Sequence, residues 1–252
     1  MNSLLIDPLN IFDRKENKIF VRSSKIATHI ENVLNKTNVN KFQHYKITIL
    51  NEGIYYAEVT RLLNSELCFE IKEPLQCFEP WIDIVVGVSR PQTTKKILEH
   101  GSTYGVGKFH FFTASLSEKS YLDSKVFTDE KDNLLHDGLS QSARYYQAPE
   151  VVLDHYNPAK KYAEYDYKFI LDFDNAKSFL DVEVPNLYGI NKKTMMPKIV
   201  LAIGPERGFR QEDIEPFLAH GFQKVTISQA VLRVEHALYS SLGQLELLTK
   251  KY

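Results

Sequence analysis

Residues 199–209 read IVLAIGPERGF, and this stretch decides how the chain is interpreted. Five apolar residues predict a strand, and the loop that follows holds two glycines before an acidic helix start at Glu212 and Asp213. Gly204 and Gly208 would let the backbone turn sharply and approach a small molecule. Because ligands of open α/β sheets bind at strand ends of this kind, the stretch indicates a ligand site. A plain strand-to-helix turn also fits the two glycines.

A second junction of the same type follows along the chain. Gly221 ends the helix, residues 224–227 predict a strand, and residues 228–233 lead into the last helix. Two consecutive junctions could form two walls of one pocket. Arg233 and Glu235 lie near the start of that helix, where the positive end of the helix dipole favours anions. Helix capping and an exposed ion pair are the alternative explanation for both side chains.

Hydrophobic patterning around these junctions predicts a β domain at residues 1–73 and an α/β domain at 74–252. The second part alternates strands with helices, as parallel strands joined by crossover helices do. A hairpin turn is expected at Asn51-Glu52-Gly53. Strands are predicted at 18–22, 45–50, 54–63, 67–72, 81–89, 167–173, 198–203 and 224–227, and helices at 92–104, 134–146, from 234 onward and around Ile26, Ile30, Val33 and Leu34.

Composition excludes several classes of function. The 252 residues include 31 Lys plus Arg and 32 Asp plus Glu, so the net charge of −1 gives no bulk attraction to nucleic acid or anionic lipid. Two cysteines without a CxxC pair, and eight histidines without metal-binding spacing, predict neither a disulfide framework nor a metal site. The apolar runs are strand-sized and no signal-peptide core is seen, so we expect no membrane span and a cytoplasmic location.

Two motifs together resemble one known family. Gly204-Pro205-Glu206-Arg207-Gly208-Phe209 is similar to a Gly-Pro-Glu-Gly-Gly-Phe loop, and residues 227–237, ISQAVLRVEHA, are similar to Leu-Gly-x-x-Ile-Leu-Arg-x-Glu-Thr-Ala at the right separation. Both belong to the ribosomal RNA small subunit methyltransferase E family, which are uridine-N3 methyltransferases of the SPOUT superfamily. Residues 91–113 resemble the family's segment of a helix and a Leu-Gly-Val turn, and residues 141–144 resemble its Gln-Ser-x-Arg signature, so the likeness extends over almost the whole chain.

The resemblance implies a fold and an activity. It implies an N-terminal PUA-like β-barrel for RNA, a C-terminal α/β domain with a deep trefoil knot, and a homodimer. The implied cofactor is S-adenosylmethionine, and the implied reaction is methylation of N3 of a uridine in 16S ribosomal RNA. Ribosomal RNA or the small ribosomal subunit is then the partner.

Roles for individual residues follow from the same resemblance. Arg233 is expected to donate to an oxyanion or a phosphate, and Glu235 to accept a proton or to orient a group. The expected RNA-binding residues are Gln141, Arg144 and Arg22, because arginine makes bidentate contacts to phosphate or base edges. The expected cofactor-binding residues are Leu171, Gly204, Glu206, Gly208, Ile227 and Leu232.

Several positions depart from the family pattern. Arg207 and Ser228 stand where the family has glycine, His236 stands where it has threonine, and Ser89-Arg90-Pro91 replaces a Lys-Gly pair. A positive φ at 207 or 228 would cost about 1–3 kcal/mol with these residues. Arg207 could project over the methyl-donor pocket or add a phosphate contact. A non-catalytic RNA-binding or ribosome-associated protein, or a methyltransferase for another RNA, therefore stay open as alternatives.

Overall fold

The computed structural model describes residues 2–32, 44–61, 65–187 and 196–249. The chain divides into two compact units, Met1–Glu79 with His136–Ala148 and Pro80–Leu135 with Pro149–Tyr252. Sequence patterning placed the boundary after residue 73 and assigned 1–73 to RNA binding. The first compact unit runs on to Glu79 and takes in a later segment, while its RNA-binding role stays a prediction.

The first unit is built on a mostly antiparallel sheet. Its order is β1-β4-β5-β6-β3-β2, and only the β1–β4 pair among the described strands is parallel. The PUA-like barrel stays a prediction. The elements are β1 (Leu4–Ile6), β2 (Ile11–Lys15), β3 (Lys18–Arg22), α1 (Ser24–Asn32), β4 (His44–Ile49), β5 (Gly53–Arg61) and β6 (Glu66–Pro74).

The predicted strands of this unit are present in the described residues, and the hairpin turn joins β4 to β5. Residues 62 and 63, the end of the strand predicted at 54–63, lie outside the described residues. Asn51 occupies the turn with φ 61°, a left-handed conformation that asparagine tolerates. The strands β1 and β2 were not predicted, because one is short and the other is mostly exposed. Ile26 and Ile30 of α1 are buried, whereas Val33 and Leu34 lie outside the described residues.

Residues 136–148 join the first unit through backbone hydrogen bonds. The Asn51 N–H donates to the Tyr146 carbonyl at 2.8 Å, and the Phe78 N–H donates to the Arg144 carbonyl at 2.9 Å. The Ser140 hydroxyl donates to the Ser3 carbonyl at 2.6 Å. The segment that carries the Gln-Ser-x-Arg signature is therefore packed with the N-terminal sheet.

The second unit has an α/β fold with a parallel sheet, as predicted. The sheet order is β11-β13-β10-β12-β7-β8-β9, and every described pair in it is parallel. Its elements are β7 (Ile82–Gly87), α2 (Pro91–Thr103), β8 (Val106–Phe112), the start of α3 (Lys131–Ser142), β9 (Glu150–Asp154), β10 (Tyr167–Leu171), β11 (Lys177–Ser178), β12 (Ile199–Ile203), α4 (Gln211–Ala219), β13 (Gln223–Thr226) and α5 (Val234–Leu248). The helix α3 belongs to the first unit from His136 on.

The central strand β12 explains the apolar run in the sequence. All five of its residues are buried, because β10 and β7 flank it and the helices α4 and α5 pack against its side chains. Such double-sided burial is the rule in parallel sheets, and it removes the alternation seen in half-exposed strands. The loops after β10, β12 and β13 consequently emerge at one edge of the sheet.

Two expectations for the second unit were wrong in detail. The helix expected over 134–146 ends at Ser142, because Ala143 adopts a left-handed φ of 45°. Residues 149–166, for which no strand or helix was predicted, contain β9 and a short 3-10 helix at Ala159–Tyr162. The strand β8 was also missed.

The apolar stripe of α5 belongs to the core. Val234, Leu238, Leu242 and Leu245 are buried, and α5 packs against α2. A homodimer surface stays a prediction. No described helix is long and apolar enough to cross a membrane. Within the same residues, no three His, Cys, Asp or Glu side chains form a metal-binding group.

Candidate functional site

The loop after β12 is a tight turn with two obligatory glycines. The Gly208 N–H donates to the Pro205 carbonyl at 2.8 Å, and Gly208 has a φ of 74°. Glu206 and Arg207 have no positive φ, so the turn resembles type I, which accepts any side chain at its third position. A Cβ atom at Gly204 would lie 3.0 Å from the Phe209 nitrogen. Glycine is therefore required at 204 and 208, but not at 207.

The loop after β13 is organised by the serine that departs from the family pattern. The Ser228 hydroxyl accepts the Ala230 N–H at 3.0 Å, and the Ser228 carbonyl accepts the Thr226 hydroxyl at 3.2 Å. The Gln244 side-chain amide of α5 donates to the Ile227 carbonyl at 3.0 Å. Ser228 has no positive φ, so the strain considered for this position is absent.

A cavity of about 310 Å³ opens where β10, β12 and β13 end, and we name it the strand-end cavity. This volume is within the range of small-ligand sites. Val231, whose side chain is mostly exposed, lies at its rim. The structure brings all six predicted cofactor-binding residues into its lining, namely Leu171, Gly204, Glu206, Gly208, Ile227 and Leu232.

The lining of the strand-end cavity is acidic. Asp172, Asp174 and Glu206 line it, and none of its described lining residues is lysine or arginine. Asp172 forms an ion pair with Lys224 at 2.5 Å and Glu206 forms one with Arg90 at 3.3 Å, which leaves Asp174 as the lining carboxylate without an ion pair among the described residues. The electrostatics therefore favour a ligand that carries positive charge.

A second cavity, of about 530 Å³, contains both predicted catalytic residues, and we name it the Arg233 cavity. Arg233 and Glu235 line it, together with Arg90 and Lys96, which sequence reasoning did not select. It shares a wall with the strand-end cavity. The shared residues are Glu206, Val231, Leu232 and Val234.

Glu235 is buried and ion-paired at the start of α5. Its side chain is 6% exposed, and its Oε1 lies 3.0 Å from the Lys96 Nζ. Burial by itself would raise the pKa of Glu235, but its own backbone N–H and Lys96 outweigh burial and hold the pKa below its ordinary value. The carboxylate is therefore ionised and engaged, which makes it a weak base.

Glu206 is held by the segment between β7 and α2. The Arg90 backbone N–H and the Arg90 Nε donate to the Glu206 Oε1 at 2.9 and 3.3 Å. Burial would raise the pKa of Glu206, but the bonds from Arg90 and Thr93 outweigh it and lower the pKa.

A third cavity, of about 370 Å³, shares Arg90 and Glu206 with the Arg233 cavity, and we name it the Arg207 cavity. Arg207 is exposed and lines this cavity rather than the strand-end cavity. The lining residues are Arg90, Ser115, Leu116, Ser117, Glu118, Tyr121, Glu206 and Arg207.

The predicted RNA-binding residues lie in the first compact unit and line none of these three cavities. Arg22 donates from Nε and Nη2 to Glu66 at 3.1 and 2.6 Å, across the β3–β6 pair. The Arg144 guanidinium lies 5.9 Å from the centre of the Phe78 ring. Gln141 is exposed on α3. Their role in RNA binding stays a prediction.

Comparison with known proteins agrees with this geometry. A family model described as RNA methyltransferase domain matches residues 78–246, which is most of the chain. The chain belongs to this RNA methyltransferase family. Its sequence is 27% identical over 218 residues to ribosomal RNA small subunit methyltransferase E 1 of Borreliella burgdorferi, covering 84% of this chain and 85% of the relative. The enzyme of Treponema pallidum with the corresponding name is 28% identical over 171 residues, covering 67% and 63%.

Solved structures share the fold at lower identity. Ribosomal RNA small subunit methyltransferase E of Neisseria gonorrhoeae, bound to S-adenosylmethionine, aligns with a TM-score of 0.71 at 18% identity and covers 98% of both chains. A methyltransferase structure from Legionella pneumophila in complex with the same cofactor gives 0.71 at 19% identity, again over 98% of both chains. The resemblance drawn from the two motifs is confirmed by these relatives.

Proposed function

We propose that the chain is an S-adenosylmethionine-dependent methyltransferase that acts on N3 of a uridine in 16S ribosomal RNA of the small subunit. The observation that carries the proposal is the shared wall between the strand-end cavity and the Arg233 cavity. One cavity would hold the methyl donor and the other the uracil, so donor and acceptor would meet beside Glu206 and Leu232. Positioning of this kind supplies much of the rate in such reactions.

The strand-end cavity fits S-adenosylmethionine in size, shape and charge. Its volume suits a small ligand, and Gly204 lets the loop backbone fold back closely on itself, since a Cβ atom there would lie 3.0 Å from the Phe209 nitrogen. When bound, S-adenosylmethionine supplies a methyl group activated by a positively charged sulfur. Asp174 would attract that charge, while the loops at Gly204–Gly208 and Ile227–Leu232 would hold the rest of the cofactor through backbone groups.

The Arg233 cavity offers cations where a uracil would become negative. The N3–H group is a weak acid, and release of its proton to solvent water would spread negative charge onto the two neighbouring carbonyl oxygens. The guanidinium of Arg233 is exposed, and no hydrogen bond or ion pair of this side chain is seen within the described ranges. Arg233 and the ammonium of Lys96 would therefore donate to these oxygens and favour the ionised base.

Glu235 is better placed to orient Lys96 than to accept the proton. Its carboxylate already bonds Lys96, and its lowered pKa makes it a poor match for a weak acid. We therefore assign the orienting role, of the two roles expected from the sequence, to Glu235. Arg207 lines the Arg207 cavity and not the strand-end cavity proposed for the cofactor. This placement argues against a cofactor site that is blocked by the Arg207 side chain.

The remaining parts of the proposal concern the whole molecule. Residues 1–73 would form a PUA-like domain that contacts ribosomal RNA through Arg22, with Gln141 and Arg144 on the same compact unit. The trefoil knot and the homodimer are included because the family resemblance implies them, and the cytoplasmic location because the cysteine content and the apolar patterning of the sequence favour it. The names of the relatives support the choice of ribosomal RNA.

The test is a methylation assay with the purified chain. The protein is incubated with methyl-labelled S-adenosylmethionine and either small ribosomal subunits or naked 16S RNA from cells that lack this modification, and nucleosides are identified by mass spectrometry. We expect label in N3-methyluridine, and at least tenfold less turnover with Arg233→Ala at unchanged thermal stability. Label in another nucleoside, or none with either substrate, would overturn the assignment. Label only on a different RNA would contradict 16S ribosomal RNA as the substrate and would leave the methyl-transfer reaction in place.

A further inference from the structure

The side chain of Arg207 is free and faces a formed cavity. It occupies the third position of the Pro205–Gly208 turn without a positive φ, so it costs no backbone strain. Within the described part of the chain, its guanidinium makes no hydrogen bond or ion pair. Replacement of the family glycine has thus placed an unpaired positive charge beside the proposed target site.

The wall opposite Arg207 is held in place by a buried carboxylate of α4. The Asp213 Oδ1 accepts both the backbone N–H and the hydroxyl of Ser115, each at 2.9 Å. The Ser117 hydroxyl donates to the Val88 carbonyl at 2.9 Å. Asp213 is 6% exposed, so water competes little for these bonds. The cavity is therefore preformed rather than assembled when a ligand arrives.

The chemistry of the lining suits one nucleotide. Arg207 supplies a full guanidinium, and only Nε of the Arg90 guanidinium bonds Glu206. The phenol of Tyr121 offers a half-buried ring and a hydroxyl, and Leu116 adds an apolar surface. Aromatic side chains that stack bases, together with guanidinium groups for phosphate, are the usual elements of single-strand RNA recognition.

The charge balance selects a phosphodiester over a free phosphate. Arg90 neutralises Glu206, so Arg207 and the exposed carboxylate of Glu118 are the remaining charges of the cavity. A phosphodiester carries a single negative charge, which Arg207 matches, whereas a terminal phosphate carries a larger charge that Glu118 repels. The cavity therefore fits a link within an RNA strand.

We propose that the Arg207 cavity binds the nucleotide next to the target uridine, with Arg207 on its phosphodiester. This inference rests on the proposed function, because it assigns the uridine to the Arg233 cavity. The two cavities share Arg90 and Glu206, so a strand that crosses this pair would place neighbouring nucleotides on its two sides. Arg207 then selects substrate by binding RNA and takes no part in the chemical step.

The experiment measures binding of single-stranded oligouridylate to the full chain at several salt concentrations. Arg207→Ala is compared with Arg207→Lys and with Lys160→Ala, which removes one exposed positive charge in the 3-10 helix at Ala159–Tyr162, outside the three cavities. We expect Arg207→Ala to weaken binding about five- to thirtyfold and to reduce the salt slope by about 0.7, as loss of one phosphate contact to a single strand does. Lysine should restore part of the affinity, and Lys160→Ala should change it less than twofold.

Three further readouts make the outcome decisive. Binding of S-adenosylmethionine should be unchanged in Arg207→Ala, the KM for RNA should rise with kcat unchanged, and Glu118→Gln should tighten RNA binding. An effect no larger than that of Lys160→Ala, or weaker cofactor binding, would overturn the inference. If uridine monophosphate binds more tightly than oligouridylate, the assignment of a phosphodiester within an RNA strand to the Arg207 cavity is wrong. Arg207-dependent binding without methylation would instead refute the proposed function alone.

Discussion

Arg90 donates two hydrogen bonds to a single oxygen of Glu206, from its backbone N–H at 2.9 Å and from its Nε at 3.3 Å. Glu206 lines all three cavities, whereas Arg90 lines the Arg233 cavity and the Arg207 cavity, so the pair lies between the sites proposed for the uridine and the neighbouring nucleotide. Arg90 belongs to the Ser89-Arg90-Pro91 segment that departs from the family pattern. The arginine at this position therefore adds a side-chain hydrogen bond to the Glu206 carboxylate.

We predict that Glu206→Gln reduces stability near neutral pH by about 1 kcal/mol, because the charge-assisted bonds to a partly exposed carboxylate are weakened. The pKa of Glu206 is lowered in the folded chain, so its stabilisation is present above the ordinary value of 4.5 and is lost as pH falls through the folded value. Urea titrations above and below that pH should show the difference between the two proteins shrink in acid. A difference that grows in acid would contradict this sign.

Gly204→Ala should disturb the strand-end cavity through its backbone. The new Cβ would lie 3.0 Å from the Phe209 nitrogen and 3.1 Å from the Gly208 Cα, so the loop must shift, at a cost of about 1–3 kcal/mol. We expect at least tenfold weaker binding of S-adenosylmethionine by calorimetry. The matched control is Gly243→Ala on α5, where nothing lies within 4 Å and alanine should stabilise the helix by about 0.5–1 kcal/mol. Equal cofactor affinity in both variants would contradict the geometry.

Ser228→Gly should not improve the site, although it restores the family residue. Ser228 has no positive φ, and its hydroxyl accepts the Ala230 N–H. The glycine variant lacks the hydroxyl that accepts this bond, and its unfolded chain has more conformational entropy. Both effects destabilise the folded chain, so we expect the free energy of unfolding to fall by about 0.5–1.5 kcal/mol. Thermal unfolding with and without S-adenosylmethionine measures both effects. Higher stability or tighter cofactor binding in Ser228→Gly would show that serine strains the loop.

Lys96→Met should destabilise the chain more than the double variant Lys96→Met with Glu235→Gln. The single change leaves a buried carboxylate without its ammonium partner, which costs about 3–5 kcal/mol when burial is complete, and less here because Lys96 is half exposed. The pKa of Glu235 should rise in Lys96→Met, so its deficit in stability should shrink as pH falls. A double-mutant cycle from urea unfolding checks the coupling. Additive effects would mean that the pair is not coupled.

The cofactor site could be predicted from the sequence because its residues are local. Gly204, Glu206 and Gly208 follow one apolar strand, and Ile227 and Leu232 follow the next. Parallel pairing of β10 with β12 and β13 brings these strand ends together without any further information. The six predicted residues therefore line one cavity, although their binding role stays a prediction.

Other parts could not be predicted because they depend on distant contacts. Arg90 and Lys96 reach Glu206 and Glu235 across separations of 116 and 139 residues, and no local pattern signals such pairs. The strand β8 was not predicted because Gly105, just before it, and Gly107, its second residue, are typical of a turn. The unstrained backbone at Arg207 could not be predicted from the sequence either. The family has glycine at this position, which suggests a positive φ, but in this turn the positive φ is at Gly208.

The measurement that tests the central claim most directly is a calorimetric titration of the purified chain with S-adenosylmethionine, beside Arg207→Gly. Our account predicts saturable binding of one cofactor per chain by the natural protein, with Arg207→Gly within about twofold in Kd, because Arg207 lies outside the strand-end cavity. Absence of binding by the natural protein, with binding gained in Arg207→Gly, would contradict it and indicate a blocked pocket on an RNA-binding protein.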